Sequence, residues 1–553
     1  MEGMDARCGR YKMKAFGKHL LEYLVVERKE MILLLLCLVI GFGLRFYAFD
    51  HKSLWIDEIH TFNDSRDDLK GQIKFYKGNP TYLHPPLFFV LTHLFHPFTN
   101  PERDLRILPL IFGTLSIPLF YFVARCFSPG IAFPCALSLT FMTYHIYLSQ
   151  DGRSYTMAMF LGMGALYFFL MHLRTSKKRY LFPAALLFSI LFQTSYASLP
   201  FIVFSQLLLF YRFRGDQPRP SLSSFLVLNG LILFFSAPWL LFIALNYKRQ
   251  LFMDPQHTED PGSLWNILHG VFNDWVSNTP LVIASVVLFI LFLFFSKSKR
   301  NALILVALFF FPIGSLYLFC KAFNITHFFT SRYFVNLLPL FFISIYLSLE
   351  GIETKFERFR QFTRLKLLFV FFLIASNFVI LPLYYRSEKQ NFGGLITYLK
   401  NHLKSGDIIF IPMKAYLPGI LHYFGAYPRG RHYVFSYSKD LRKGLEYGIY
   451  LAGENKWFWI YSSDTCCVQY LTDANRVWIV VSKSEGKKLK RESPFVLKGY
   501  FDGSFANFRK FPTDASIYLF LWDPKSPDEK RMELPMDRSN GGMITIDPKF
   551  PDE

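Results

Sequence analysis

Two adjacent carboxylates, Asp57 and Glu58, stand in the run Ser53-Leu54-Trp55-Ile56-Asp57-Glu58, just past an apolar segment of membrane-spanning length, Met31 to Phe49. They therefore fall at a membrane–water boundary. A carboxylate there, beside a cation, can act as general base toward a hydroxyl, because burial raises its pKa and a neighbouring positive charge lowers it. Neighbours on a helix point about 100° apart, so only one of the two can face a site while the other packs or pairs elsewhere. Thr61 follows Asp57 by four residues and shares its face, which favours Asp57 as the working acid and leaves Glu58 to orient it. A blander alternative is Trp55 as an interfacial anchor with two solvated acids beside it.

Three further polar constellations lie at the same predicted depth. Leu83-His84-Pro85-Pro86-Leu87 puts a titratable ring at a helix start whose prolines fix the entry, although an exposed histidine before a proline pair reads equally well. In Ser149-Gln150-Asp151-Gly152-Arg153-Ser154-Tyr155 an acid and a tyrosine are one turn apart, with Arg153 able to hold a phosphate or neutralise Asp151. A capping Asp and a snorkelling Arg are the plainer reading of that segment. Ser331-Arg332-Tyr333 offers a guanidinium for a lipid phosphate and a ring at headgroup depth, with Lys321 and His327 nearby in sequence. Arg103 and Arg106 fall in the same class.

The elements that must hold these residues are apolar helices. The chain has 553 residues, is 52% hydrophobic and 19% aromatic, and repeats apolar runs between Met31 and Tyr385. That defines a polytopic α-helical membrane protein. Eleven crossings are expected, near 31–49, 106–125, 130–148, 154–173, 180–194, 196–211, 224–245, 280–296, 301–320, 333–350 and 366–385, with twelve or thirteen as the upper count. Pro85–Phe98, about fourteen residues with His93 and His96 inside, suits an interfacial or re-entrant helix. If it does not cross, the basic clusters at Arg125, Arg174 to Arg179, Arg212 to Arg219, Lys297 to Arg300 and Lys355 to Lys366 all fall on one side with the basic leader 1–30. The net charge of +20 is thus a topology signal, and nucleic acid is not an expected partner.

With the basic side in the cytoplasm, the outer face receives Asp50–Asp104, Ser149–Arg153, the connector Asn246–Pro280, Lys321–Arg332 and everything after Tyr385. The domain plan is a leader 1–30, a catalytic membrane domain 31–385 with its first outer loop 50–105, a soluble α/β domain 386–523, and a disordered polar tail 524–553. In the third of these, Gly393–Leu403 reads as a helix and Asp407–Pro412, Trp457–Tyr461 and Val477–Val481 as strands. Seven cysteines, with only Cys466 and Cys467 in the soluble part and Cys8 in the leader, form neither a disulfide framework nor a zinc spacing.

In order and spacing, Trp-x-Asp-Glu after the first span, His-Pro-Pro-Leu, Arg-Ile-Leu-Pro opening the second span, Gln-Asp-x-Arg-x-Tyr opening the fourth and Arg-Tyr near the tenth resemble glycosyltransferase family 39. This bacterial group has the GT-C membrane fold and is related to protein O-mannosyltransferases and lipid A aminoarabinose transferases. The resemblance covers roughly 31–390. It implies inverting transfer of a sugar from a polyprenyl-phosphate donor to an acceptor hydroxyl on the periplasmic face of the bacterial inner membrane. The acceptor is left open among a glycan, lipid A and a protein. The resemblance makes Asp57 the catalytic carboxylate of the first loop, with Glu58 beside it, and Asp151 the acid of the second. It gives the lipid phosphate and donor to His84, Arg106, Arg153, Tyr155, Arg332 and Tyr333. Two positions depart from the pattern: relatives often carry Glu where this chain has Asp151, and some carry Lys where it has His84. No metal and no cofactor are expected, membrane lipids are, and the outer C-terminal domain is expected to help bind the acceptor.

Three other readings compete, one of them a structural or assembly subunit with a degenerate site, against which Asp57, Asp151 and Arg332 together argue. A transporter or flippase of lipid-linked sugars predicts ionisable groups near mid-membrane and a half-length internal repeat, whereas the spans here are rich in Phe and Leu and the charges gather at their outer mouths. An enzyme like O-antigen ligase is the nearest alternative chemistry.

Overall fold

A computed structural model of the chain describes residues 28–65, 69–71, 74, 85–95, 97–213, 222–246, 262–276, 278–323, 330–356, 364–412, 416–425, 445–451, 456–462, 476–482, 496–501, 516–523, 532–535 and 543–546. The leader up to residue 27, His84, His327, Cys8, Cys466 and Cys467 lie outside them. The chain forms two compact units. The first comprises Met1–Tyr47, Pro80–Leu91 and Arg106–Phe378, and the second Ala48–Asn79, Thr92–Leu105 and Val379–Glu553.

The first unit is helical. Among the described residues six helices are long and apolar enough to cross a bilayer: Pro101–Phe127, Tyr155–Thr175, Leu222–Leu245, Lys299–Phe323, Ser331–Lys355 and Leu365–Arg386. Two bent pairs, Pro129–Phe141 with Thr143–Ser149 and Leu264–Val276 with Thr279–Phe295, raise the count to eight. The chain is thus a multi-pass membrane protein, and the difference from eleven has local causes. Arg28–Phe46 is helical, but charged at both ends by Arg28, Lys29, Glu30 and Arg45. Leu181–Phe192 has 12 residues, and the next stretch is divided among Tyr196–Ser198, Leu199–Phe204 and Ser205–Phe210. Leu87–Thr92, followed by the short turn His93–Phe95, is too short to cross, as its length in sequence implies. The connector Asn246–Pro280 contains a helix, Leu264–Val276, that packs inward through Val271, Asp274 and Trp275.

Layering follows residue size. Tyr155–Thr175 and Ser331–Lys355 are 83% buried over their apolar windows, against 11% for Leu222–Leu245. The first is inner because small residues let neighbours approach: a Cβ on Gly162 would sit 2.3 Å from Asn336 Oδ1, and one on Gly113 of the adjoining helix 2.1 Å from Ser149 Oγ. The outer helix exposes Leu226, Leu233, Phe234, Leu241 and Leu245, an apolar surface suited to lipid tails.

The second unit holds a six-stranded sheet in the order β2 (Leu445–Leu451), β3 (Lys456–Ser462), β1 (Ile408–Ile411), β4 (Val477–Ser482), β6 (Ile517–Trp522), β5 (Val496–Phe501). β1 is parallel to both β3 and β4, and the other pairs are antiparallel. As the central strand it is buried on both faces, which is why it reads as the unbroken apolar run Ile-Ile-Phe-Ile. Helices Phe392–His402 and Leu417–Phe424 share a core with Ile409, Ile411, Phe458, Ile460, Trp478 and Val480.

Leu54, Ile59 and Leu105 are buried in that same core. Ala48–Asn79 and Thr92–Leu105 of the first loop therefore belong with the C-terminal residues, and Pro80–Leu91 with the first unit, whereas the sequence reading kept 50–105 and 386–523 apart. These loop residues are apolar and find their partners only there. Within 524–553, expected to be disordered, Met532–Pro535 pairs antiparallel with Met543–Ile546. Among the described residues Cys37, Cys126, Cys135 and Cys320 are buried free thiols.

At the start of β1, Asp407 Oδ2 accepts from Lys404 N at 2.9 Å and Trp478 Nε1 at 2.8 Å, with Arg476 Nη1 at 3.6 Å. Burial pushes its carboxyl above the ordinary value, and these partners only partly offset that. A raised folded-state pKa favours the protonated fold, so this group's stabilisation is present below about 3.8 and is lost as pH rises through the folded value. Asp407→Asn keeps an acceptor for both N–H donors. Its thermal midpoint should gain on the wild type between pH 4 and 7; a pH-independent difference would refute this.

Candidate active site

Asp57 lies in the first turn of the helix Ile56–Ser65 and is half-buried. The approach to that helix is held by side chains from just beyond the last span. Ser53 N donates to Glu388 Oε2 (3.2 Å), Leu54 N to Tyr423 Oη (2.6 Å), Trp55 N to Glu58 Oε2 (3.3 Å) and Ile56 N to Gln390 Oε1 (3.0 Å). Four successive amides at a helix entrance, which the helix itself cannot satisfy, thus each have an acceptor. Glu58 closes on the N–H three residues back as in a capping box. Its other oxygen lies 3.7 Å from Lys389 Nζ, both side chains being fully buried.

Glu58 is thereby engaged at the helix entrance by Trp55 N and Lys389, while the remaining acid of the pair is Asp57. Thr61 Oγ1 donates to the Asp57 carbonyl at 3.2 Å. Glu388, Lys389 and Gln390 were missed in sequence; the signal was a polar run, Ser387 to Asn391, immediately after a span.

In the first unit, the position of Asp151 is set by a break in a membrane helix. Pro129–Phe141 and Thr143–Ser149 meet at 62° across Met142, whose extended backbone stops the first helix. The orphaned carbonyls there accept from buried Arg45: Leu139 O at 2.8 Å and Thr140 O at 3.2 Å. The same guanidinium meets His145 Nδ1 at 2.8 Å, so His145 carries its proton on Nε2. The new helix start is capped by Asn377 Oδ1, accepting from Thr143 N at 2.7 Å. At the far end Gln150 Nε2 donates to Arg45 O and Tyr47 O, both at 2.8 Å. Asp151 follows, fully buried, and its carbonyl accepts from Arg153 N at 2.6 Å.

Tyr155 begins the next helix, and Arg332 is brought to it: the guanidinium carbon is 5.5 Å from the Tyr155 ring centre and 5.7 Å from that of Tyr333. The two rings meet edge to face at 6.0 Å. Beneath them Ser331 Oγ donates to Asp274 Oδ2 at 2.6 Å and lies 2.8 Å from Tyr144 Oη. Tyr147 is within electrostatic reach of Asp151, Arg332 and Tyr155. Asp151, Tyr155, Arg332 and Tyr333 are therefore one group, with Tyr144, Tyr147 and Asp274 as members that sequence reasoning missed. Asp274 sits on the helix hidden in the connector; the tyrosines are three apart in a buried run that carries no other mark.

The other residues expected at the site divide. Arg106 is fully buried at the start of Ile107–Phe127. Arg153 is half-buried in the Asp151 turn. Arg103 pairs with Asp104 at 2.9 Å. Lys321 is exposed at a helix end, and His84 and His327 lie outside the described residues. Asp57 and Glu58 belong to the second unit, and the Asp151–Arg332 group to the first. Among the described residues no three His, Cys, Asp or Glu side chains gather to hold a metal ion.

No protein-family model and no curated protein sequence matches the chain. Its structure resembles the crystal structure of ArnT from Cupriavidus metallidurans bound to undecaprenyl phosphate, with a TM-score of 0.52 at 12% identity over 90% of this chain and 98% of that one. The apo form of ArnT from the same organism gives 0.51, again at 12% identity, over 90% and 99%. The chain therefore has the membrane fold of ArnT, the GT-C fold that the motifs led us to expect.

The buried pair in the second unit makes a direct test. Lys389→Met leaves the Glu58 charge uncompensated and should destabilise the unit by about 3–5 kcal/mol. Adding Glu58→Gln should recover much of that loss. Unfolding of the purified protein in detergent measures both, and equal stability of Lys389→Met and wild type would sink the assignment.

Proposed function

We propose that this protein is an inverting glycosyltransferase. It moves a sugar from a polyprenyl-phosphate donor to an acceptor hydroxyl at the periplasmic face of the inner membrane, with the C-terminal unit on that side. One observation carries the reading: the Arg332 guanidinium, held over Tyr155 and Tyr333 beside the Asp151 turn, in a chain whose fold follows that of an undecaprenyl-phosphate-bound protein over 90% of its length. A guanidinium on aromatic faces is oriented yet keeps its charge, which suits a phosphate ligand.

In this reading Asp57 takes the proton of the acceptor hydroxyl as its oxygen bonds to the anomeric carbon from the face opposite the phosphate. The bond from that carbon to the phosphate oxygen breaks, and the polyprenyl phosphate leaves with the electron pair. A lipid phosphate is a good leaving group, so the residues' task is to supply a base on one side and cations on the other. Arg332, Arg153, Arg106 and His84 are assigned to the departing phosphate, Tyr155 and Tyr333 to the donor's approach, and Asp151 to orienting the cations beside it. Glu58 and Lys389 hold the helix that carries Asp57.

The assay is transfer of radiolabelled sugar from a panel of polyprenyl-phosphate sugars by membranes carrying wild type or Asp57→Asn. Transfer should fall by about 10²–10⁴-fold in the variant with expression and donor binding intact, the effect expected of a lost general base, and the active donor identifies the sugar. Equal transfer by both proteins would remove Asp57 from the mechanism. Absence of transfer with every donor, together with movement of a lipid-linked sugar between leaflets, would favour a transporter.

A further inference from the structure

At the opposite end of the first unit the helices enclose a cavity of about 460 Å³. Three helices lead from the Asp151–Arg332 group toward it. Tyr155–Thr175 starts at Tyr155 and carries Arg174 in its last turn, Ile107–Phe127 starts after Arg106 and ends on the cavity wall, and Leu338–Lys355 follows Arg332 and brings Glu350 and Gly351. Twenty-one residues of helix span about 31 Å, the thickness of a bilayer's apolar core. The cavity therefore faces the other leaflet, and it belongs neither to the proposed transferase site nor to the resemblance that led there.

Its walls combine charge and aromatic surface. Arg174 is buried, its Nε donating to Cys126 O at 2.7 Å and its guanidinium lying 4.4 Å from the Phe213 ring centre. Arg212 and Lys297 are exposed at the rim, and Arg212 is fixed through its backbone: its N donates to Asn301 Oδ1 at 2.9 Å and its carbonyl accepts from Asn301 Nδ2 at 2.6 Å. Glu350 is the one acid among the lining residues, and it accepts from Ser128 Oγ at 2.9 Å. Lys366, nearby, is paired with Glu353, Nζ to Oε2 at 3.3 Å, so the three lining cations outnumber the single lining acid. Cations that served only to orient the chain in the membrane would not need to converge on a hollow or to include a buried one.

We propose that this cavity binds the phosphate group of an anionic phospholipid, the three cations taking the phosphate and the rings of Phe127, Tyr211 and Phe213 the root of the lipid. Basic pockets between membrane helices recognise such headgroups through charge at the leaflet surface.

The test uses the full chain in neutral detergent. Native mass spectrometry would count bound phosphatidylglycerol and phosphatidylcholine for wild type and for the rim variant Arg212→Gln/Lys297→Gln, whose two sites are exposed and whose unfolding midpoint is checked alongside. Wild type should retain phosphatidylglycerol over phosphatidylcholine, and the variant should bind phosphatidylglycerol roughly 30-fold more weakly, the effect of two cations at a membrane surface. Inorganic phosphate is the second arm. If it displaces phosphatidylglycerol from wild type, the phosphate group alone is recognised; if it does not, while the variant still loses the lipid, recognition requires the whole headgroup with its lipid root. Equal retention of phosphatidylglycerol by variant and wild type, or equal retention of the two lipids by wild type, would overturn the proposal.

Discussion

A backbone interrupted inside a membrane must find other partners for the amides and carbonyls it releases, because the lipid supplies none. The break at Met142 is the point where this constraint is most severe, and Arg45 and Asn377 are the response. They come from the first helix and the last span, so closing one break ties together parts of the chain more than two hundred residues apart. The short helix Thr143–Ser149 is fully buried as a result. Its far end delivers Asp151, and its tyrosines floor the group around Arg332. A polar turn at the mouth of a span has thereby been made rigid by groups that would otherwise be expensive to bury.

The second unit solves a related problem by different means. The chain from Ser53 to Trp55 is neither strand nor helix, yet its three amides and that of Ile56 each meet a side-chain acceptor, three of the four from residues beyond 387. Glu58 supplies the fourth from within the helix that it helps to start. Its other oxygen faces Lys389 Nζ at 3.7 Å, so each buried charged group has the opposite one beside it. The conformation of the Asp57 turn is consequently written in two places in the sequence, more than three hundred residues apart.

Much of this was legible in the primary structure. Helix positions followed from apolar runs, and β1, β3 and β4 from β-branched and aromatic stretches, because both signals are local. Asp57, Asp151, Arg332 and Tyr333 stood out because charge at the end of an apolar run is unusual. The partners that hold them did not. Lys389 and Gln390 look like an ordinary polar exit from a span, Asn377 is one amide among apolar neighbours, and Asp274 lies in a stretch that reads as a connector. Their meaning depends on contacts that no local pattern encodes. The span count differed for a related reason: hydropathy averages over residues and cannot see that Leu181–Phe192 is short or that turns divide the stretch after Tyr196.

The burial of Leu54, Ile59 and Leu105 in the core of the C-terminal unit also bears on how such a protein can be divided. A map drawn from hydropathy would cut the chain after the last span and treat the C-terminal remainder as an exchangeable accessory. Cut there, the membrane part would retain every one of its motifs and lose the scaffold around Asp57. The soluble unit would lose a helix from its own interior. Neither fragment is a module, so recombination, truncation or grafting at that boundary separates Asp57 from the residues that hold its helix.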